Sequence, residues 1–199
     1  MYNYRMTINA QTMANLEGFN ATVRTMATRS VEVNTEKKRL EEIRDNAENG
    51  EKAIKETIAE LASLAEAWKK EQKGYNLKLF GGKDGDKKVG GYCDSISKEY
   101  YKAYCDYIMN GKKTAMETAT KNFLISACVE GTTVKDRAIT EFTKELLIIL
   151  GGKFNGNSKL AKGENFISTM NARTFKKMIF GAICDVIAKT TIKTEKNNK

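Results

Sequence analysis

The chain has 199 residues, 41% hydrophobic and 30% charged, a balance that suits an ordinary globular protein able to bury a core without disulfides or metals. Its net charge is +9, it has neither proline nor histidine, and its four cysteines, Cys93, Cys105, Cys128 and Cys184, lie far apart. These counts exclude a zinc-ligand pattern, a dense disulfide framework and the imidazole that most general bases and activated nucleophiles require.

No stretch approaches the roughly 18–20 apolar residues that span a bilayer, and the opening "MYNYRMTINAQTM" has no apolar signal region. A soluble, cytoplasmic protein with reduced thiols is expected, and a place in a virion is compatible with that. Only seven of the 34 cationic side chains are arginine, a lysine-rich usage that also follows from an AT-rich genome. A basic balance permits nucleic acid, anionic lipid or acidic protein as partner without choosing among them. About ten prolines would be average for this length, and their absence fits a chain dominated by helices.

In chain order, Tyr2, Tyr4, Met6 and Ile8 alternate with polar residues, a short strand pattern. From Thr12 to Arg29, Met13, Leu16, Phe19, Val23 and Met26 form a helical stripe interrupted by Gly18. The clearest pattern runs from Thr35 to Gln72. There Leu40, Ile43, Ala47, Ile54, Ile58, Leu61, Ala65 and Trp68 follow at steps of three, four or seven, a coiled-coil-like seam on one helix face. Asn49-Gly50 divides it into 35–48 and 51–72; unbroken, it would reach about 57 Å.

After a glycine- and lysine-rich loop at 74–92 come four more helical patterns. Ser97 caps the first, which ends at Asn110-Gly111, and the second covers Lys112 to Val129. The third opens with Thr133 three residues before Asp136, like a capping box, and stops at Gly151-Gly152. The fourth covers Asn171 to Lys189, and the polar tail beyond it is expected to fray. The last two have the widest apolar faces and are expected to centre the core. Tyr100, Tyr104 and Tyr107 share one face of the first, at the core edge.

The candidate chemistry is thin. Ser95 to Lys98 reads S-x-x-K, but the companion S-D-N and K-T-G elements of that serine chemistry are missing, so the serines read as helix caps. Neighbouring carboxylates such as Glu41 and Glu42 belong to a solvated helix face, whereas acid–base work needs a desolvated cleft. In "FGGKDGDKKVGG", Gly85 and Gly90 have P-loop spacing, yet Gly91-Tyr92 stands where Lys-Ser/Thr is required. Asp84 and Asp86 supply two carboxylates where a calcium loop needs about five oxygen ligands. The stretch reads instead as a β-hairpin, with "YNLKLF" at 75–80 returning through "KKVGGY".

The expected fold is all-α in the main. A segment 1–73 carries the long helix or helical hairpin, 74–92 forms the hairpin or linker, and 93–199 forms a helical bundle with a basic tail, together one compact unit. The expected function is a non-enzymatic interaction protein, composed like an accessory protein of a phage or mobile element. It docks a second copy or another protein through Leu40, Ile43, Ile54, Ile58, Leu61 and Trp68, without catalytic residues, metal or cofactor. The alternative is a basic module that binds DNA or RNA through loops 75–92 and 151–167, using Lys78, Lys83, Lys87, Lys88, Lys153, Lys159 and Lys162. An enzyme using lysine and carboxylates would need a deep pocket holding perturbed groups.

Overall fold

A computed structural model describes residues 6–46, 50–155 and 172–196. Among these residues the fold is mainly α, with six helices and one two-stranded antiparallel ribbon. The order is α1 (Ala10–Asp45), α2 (Gly50–Phe80), β1 (Gly82–Asp84), β2 (Lys87–Val89), α3 (Lys98–Asn110), α4 (Lys113–Ala127), α5 (Asp136–Asn155) and α6 (Ala172–Lys196). Contacts divide the chain into two compact units: Met1–Glu17 with Cys93–Lys199, and Gly18–Tyr92. The expected segment boundaries fell at 73/74 and 92/93, within one compact unit. No helix among the described residues is long and apolar enough to cross a membrane.

In the first unit, Asn9 starts α1. Its Oδ1 accepts a hydrogen bond from the Thr12 N–H at 2.8 Å, the N-cap geometry that satisfies an otherwise unpaired helix donor. Its Nδ2 donates to the carbonyls of Ser126 and Cys128, so one asparagine both caps α1 and ties it to the end of α4. The strand expected at 2–8 reduces to a single bridge between Ile8 and Cys128, with residues 1–5 outside the described part.

Helices α3 to α6 follow the sequence pattern closely. Gly111 ends α3 in the left-handed conformation, φ 64°, and donates its N–H to the Tyr107 carbonyl. Ser97 holds the cap position before α3, but its hydroxyl bonds the Glu99 carboxylate rather than a backbone N–H. Three boundaries move, the first being that α6 runs on to Lys196 through seven residues of the tail expected to fray. Helix α5 begins at Asp136, where the Lys135 carbonyl accepts from Ala138 and Ile139, leaving Thr133 outside. It then runs through Gly151-Gly152 to Asn155, because Gly151 keeps a helical backbone instead of the left-handed turn that stops a helix. Lys153, expected in the second lysine loop, therefore lies on α5.

Helix α3 packs on α4, α4 on α5, α5 on α6 and α6 back on α3, which closes a four-helix bundle. Its centre is built as expected from the last two helices: Phe142, Leu146, Leu150, Phe175, Phe180 and Ile183 are fully buried. Tyr101 stands edge-on to Phe175, with ring centroids 4.8 Å apart, and Tyr104 lies beside the same ring. Two polar contacts in this core differ sharply. The buried Tyr100 hydroxyl donates to Thr120 Oγ1 at 2.9 Å, and burial pushes the Tyr100 pKa upward. Thr143 Oγ1 is buried with no hydrogen-bond partner among the described residues.

Opposite substitutions check that contrast. Tyr100→Phe leaves the Thr120 hydroxyl unpaired and is expected to cost about 1–2 kcal/mol in chemical denaturation. Thr143→Val removes an unpaired hydroxyl at nearly constant shape and is expected to be neutral or to stabilise by about 1 kcal/mol.

Candidate functional site: the helical hairpin and its ribbon

The second unit carries the seam and the first lysine loop. Helix α1 does not stop at Arg29 and restart at Thr35, as the pattern led one to expect. No glycine or proline lies between them, the Thr35 hydroxyl back-bonds to the Val31 carbonyl, and Arg29–Glu32 and Glu36–Arg39 pairs flank the stretch. The break falls instead after Asp45, and α2 starts at Gly50, whose φ of 73° suits only glycine. Ala47 lies outside the described residues.

The expected strand at 75–80 is the end of α2. Gln72, Tyr75 and Leu79 extend the heptad from Trp68 without a break, and the Trp68 and Tyr75 rings lie 6.4 Å apart along it. Six alternating residues are too few to outweigh a seam already running for about four turns.

The two helices form an antiparallel hairpin. Arg29 on α1 grips Glu71 on α2 with two hydrogen bonds, Nε–Oε2 at 2.9 Å and the second at 3.1 Å, while its Nη1 reaches Glu32 at 3.0 Å. Arg39 lies within Coulombic reach of Glu60. In both cases the two residue numbers add to 99 or 100, which sets the register along the hairpin. Hydrogen bonding raises the Arg29 pKa further above its ordinary value and lowers that of Glu71. Glu36 is lowered by Arg39 and Asp45 by Arg44 in the same way.

The seam residues meet different fates. Leu40 is buried, with Val33 beside it on the same face of α1. Ile43, Ile54, Leu61 and Trp68 are half-buried, and Ile58 is 51% exposed. Next to it Thr57 is 6% exposed, its hydroxyl satisfied by the Ala53 carbonyl at 2.8 Å. The polar residue is inside and the isoleucine outside. The reason is geometric: a heptad repeat drifts by about 20° per seven residues on a straight helix. Leu79 is 1% exposed and Ile58, three heptads earlier in the same column, is 51% exposed, the trend that a cumulative drift of about 60° gives. What remains is an open groove of about 440 Å³ lined by Val33, Lys37 and Glu41 of α1 and Leu61, Leu64 and Trp68 of α2.

At the other end of α2 a β-ribbon is mounted stiffly. Gly81, φ 65°, donates its N–H to the Leu77 carbonyl, and Tyr92 donates to that of Lys78, so both ends of the ribbon satisfy carbonyls that α2 leaves open. Gly81 and Gly91 pack backbone on backbone: a Cβ on Gly91 would meet the Gly81 nitrogen at 2.3 Å and the Leu79 oxygen at 2.7 Å. Gly18 is explained similarly, since a Cβ there would meet the Tyr92 ring at 2.5 Å. The strands pair Gly82 with Val89, Lys83 with Lys88 and Asp84 with Lys87, around a two-residue turn, Gly85-Asp86. All six strand residues are exposed.

Of the seven lysines expected to touch nucleic acid, Lys83, Lys87 and Lys88 sit on this ribbon, and Lys78 is exposed on the last turn of α2 rather than in a strand. Lys153 lies near the end of α5, and Lys159 and Lys162 fall outside the described residues. Cys93 is pushed up to about 12 by burial, and Cys105 and Cys128 are also raised by burial, so these thiols are held protonated at neutral pH. No cluster of three metal-ligating side chains occurs among the described residues. Sequence reasoning missed the Arg29–Glu71 clamp, which joins residues 42 positions apart, and the Gly81–Gly91 contact. The second had a signal in the paired glycines at both ends of the loop. Comparison with models of known families, with curated proteins and with solved structures returns no match.

Two outcomes follow from this geometry. Glu71 is lowered from an ordinary value of 4.5, so its clamp stabilises the hairpin above that pH and is lost as pH falls through the lower folded value. Glu71→Gln is expected to flatten the acid limb of helix content followed by circular dichroism between about pH 5 and 2. Gly91→Ala, forced against backbone atoms, is expected to destabilise the second unit by roughly 1–3 kcal/mol in a denaturant titration.

Proposed function

We propose that this chain is a non-enzymatic interaction protein, and that its α1–α2 hairpin pairs with the hairpin of a second copy to complete a four-helix bundle. The observation that carries the reading is the exchange of places at Thr57 and Ile58. Along the hairpin beyond Arg29, the buried side chains are Val33, Leu40 and Thr57 alone among the described residues. A two-helix hairpin has too little interior to hide a full heptad stripe, and a second pair of helices is the common remedy.

Charge supports a second copy as the occupant. Gly18–Tyr92 carries 15 basic and 13 acidic side chains, so two hairpins approach without strong repulsion. An apolar stripe that meets its own image also suits a two-fold interface, in which the same patch serves both partners. Buried, protonated thiols fit a binding role better than a nucleophilic one.

Light scattering across a concentration series checks the proposal. A dimer is expected, and Ile58→Asp, an exposed position the fold tolerates, should weaken it at least tenfold, because the charge enters the interface twice. Val31→Asp is the control: Val31 is 66% exposed and lies half a turn away from Leu40, so association should not change. A monomer at every concentration, or equal effects of the two variants, contradicts the proposal.

A further inference from the structure

We propose that the β1–β2 ribbon is a contact for duplex DNA, laying Lys83 and Lys88 on the phosphate backbone. The argument starts from what the ribbon does not do. None of its six strand residues is buried, so it adds nothing to a core. Its register sets Lys83 directly opposite Lys88, and like charges facing each other across a strand pair destabilise it. Side chains alternate across a ribbon, so these two lysines share one face with no carboxylate between them, while Asp84 and Lys87 balance each other on the opposite face.

Such a ribbon is held in place all the same. Gly81 and Gly91 allow backbone contact closer than any Cβ permits, and the N–H groups of Gly81 and Tyr92 anchor both ends on the last carbonyls of α2. Gly85, φ 60°, closes the two-residue turn. A repulsive lysine pair presented on a rigid mount gains its stabilisation when a polyanion sits across it. A two-stranded ribbon fits the major groove of B-form DNA, about 12 Å wide, with phosphates along both rims. Single strands are bound through stacking on aromatic rings, and residues 82–89 contain none. Anionic membranes attract lysine too, but firm attachment also draws on bulky apolar side chains, and here Val89 is the one apolar residue.

The experiment is a fluorescence anisotropy titration of the full chain with a duplex of about 20 base pairs, a single strand of equal length, and vesicles rich in anionic lipid. Duplex binding is expected to fall with salt, and Lys83→Ala/Lys88→Ala should weaken it about tenfold at low salt while lowering the log–log salt slope by about 1.8, the release from two phosphates. Neither side chain is buried and their mutual repulsion is relieved, so this variant should keep the wild-type circular dichroism and lose no melting temperature, and Lys83→Arg/Lys88→Arg should restore binding. No duplex binding at low salt, an unchanged affinity and slope in the alanine variant, or preference for the single strand or the vesicles would overturn the proposal.

Discussion

A seven-residue repeat wound on a helix of 3.6 residues per turn cannot face the same neighbour for long, and the second unit depends on that mismatch. Leu79 of α2 is covered by its own chain, Trp68 and Leu61 are half-covered, and Ile58 has swung out. A two-stranded supercoil would absorb the drift by bending both helices. Here Arg29 and Glu71 pin the register partway along, and beyond them Ile58 lies exposed while the other large seam residues of α2 are half-buried. Polarity follows from it as well, since the inward place vacated by isoleucine is filled by a threonine that satisfies its own hydroxyl.

The two units illustrate two ways of using apolar residues. In the α3–α6 bundle the inward side chains Phe142, Leu146, Phe175, Phe180 and Ile183 are fully buried while Ile108, Met109, Ile125 and Ile148 stay exposed, and of two buried threonines Thr120 is paired and Thr143 is not. In the hairpin the large side chains are shared between the interior and the surface, and ion pairs with both signs carry the register. Surface ion pairs contribute little stability each, so the hairpin gains order from them and not much cohesion. The apolar side chains add little further cohesion within the hairpin, where Ile43, Ile54, Leu61 and Trp68 are only half-buried. The same economy explains the ribbon, in which rigidity comes from glycine backbone contacts and the side chains are left to face outward.

Much of this was legible in the residues. The four bundle helices, the Asn110-Gly111 stop and the fresh helix start at Gly50 are local signals, and local physics decides them. Local patterns mislead where they meet a longer one. Tyr75, Leu77 and Leu79 alternate like a strand, but Tyr75 and Leu79 also continue a heptad, and the longer pattern prevailed. Gly151-Gly152 looks like a stop, yet a glycine ends a helix only when it turns left-handed. The seam is legible, but which of its members are covered depends on the pairing with α1, held by an arginine–glutamate pair with no periodic signature. Leu40 and Ile58 look equivalent in sequence; one is buried and the other half bare.

Native-state hydrogen exchange tests the central claim most directly, because it reads the cohesion of each helix separately. At low protein concentration the amides of residues 30–45 and 54–72 are expected to exchange much faster than those of α5 and α6, and to gain protection as concentration rises while the bundle stays unchanged. Hairpin amides as protected as the bundle in dilute solution, with no dependence on concentration, would contradict the account.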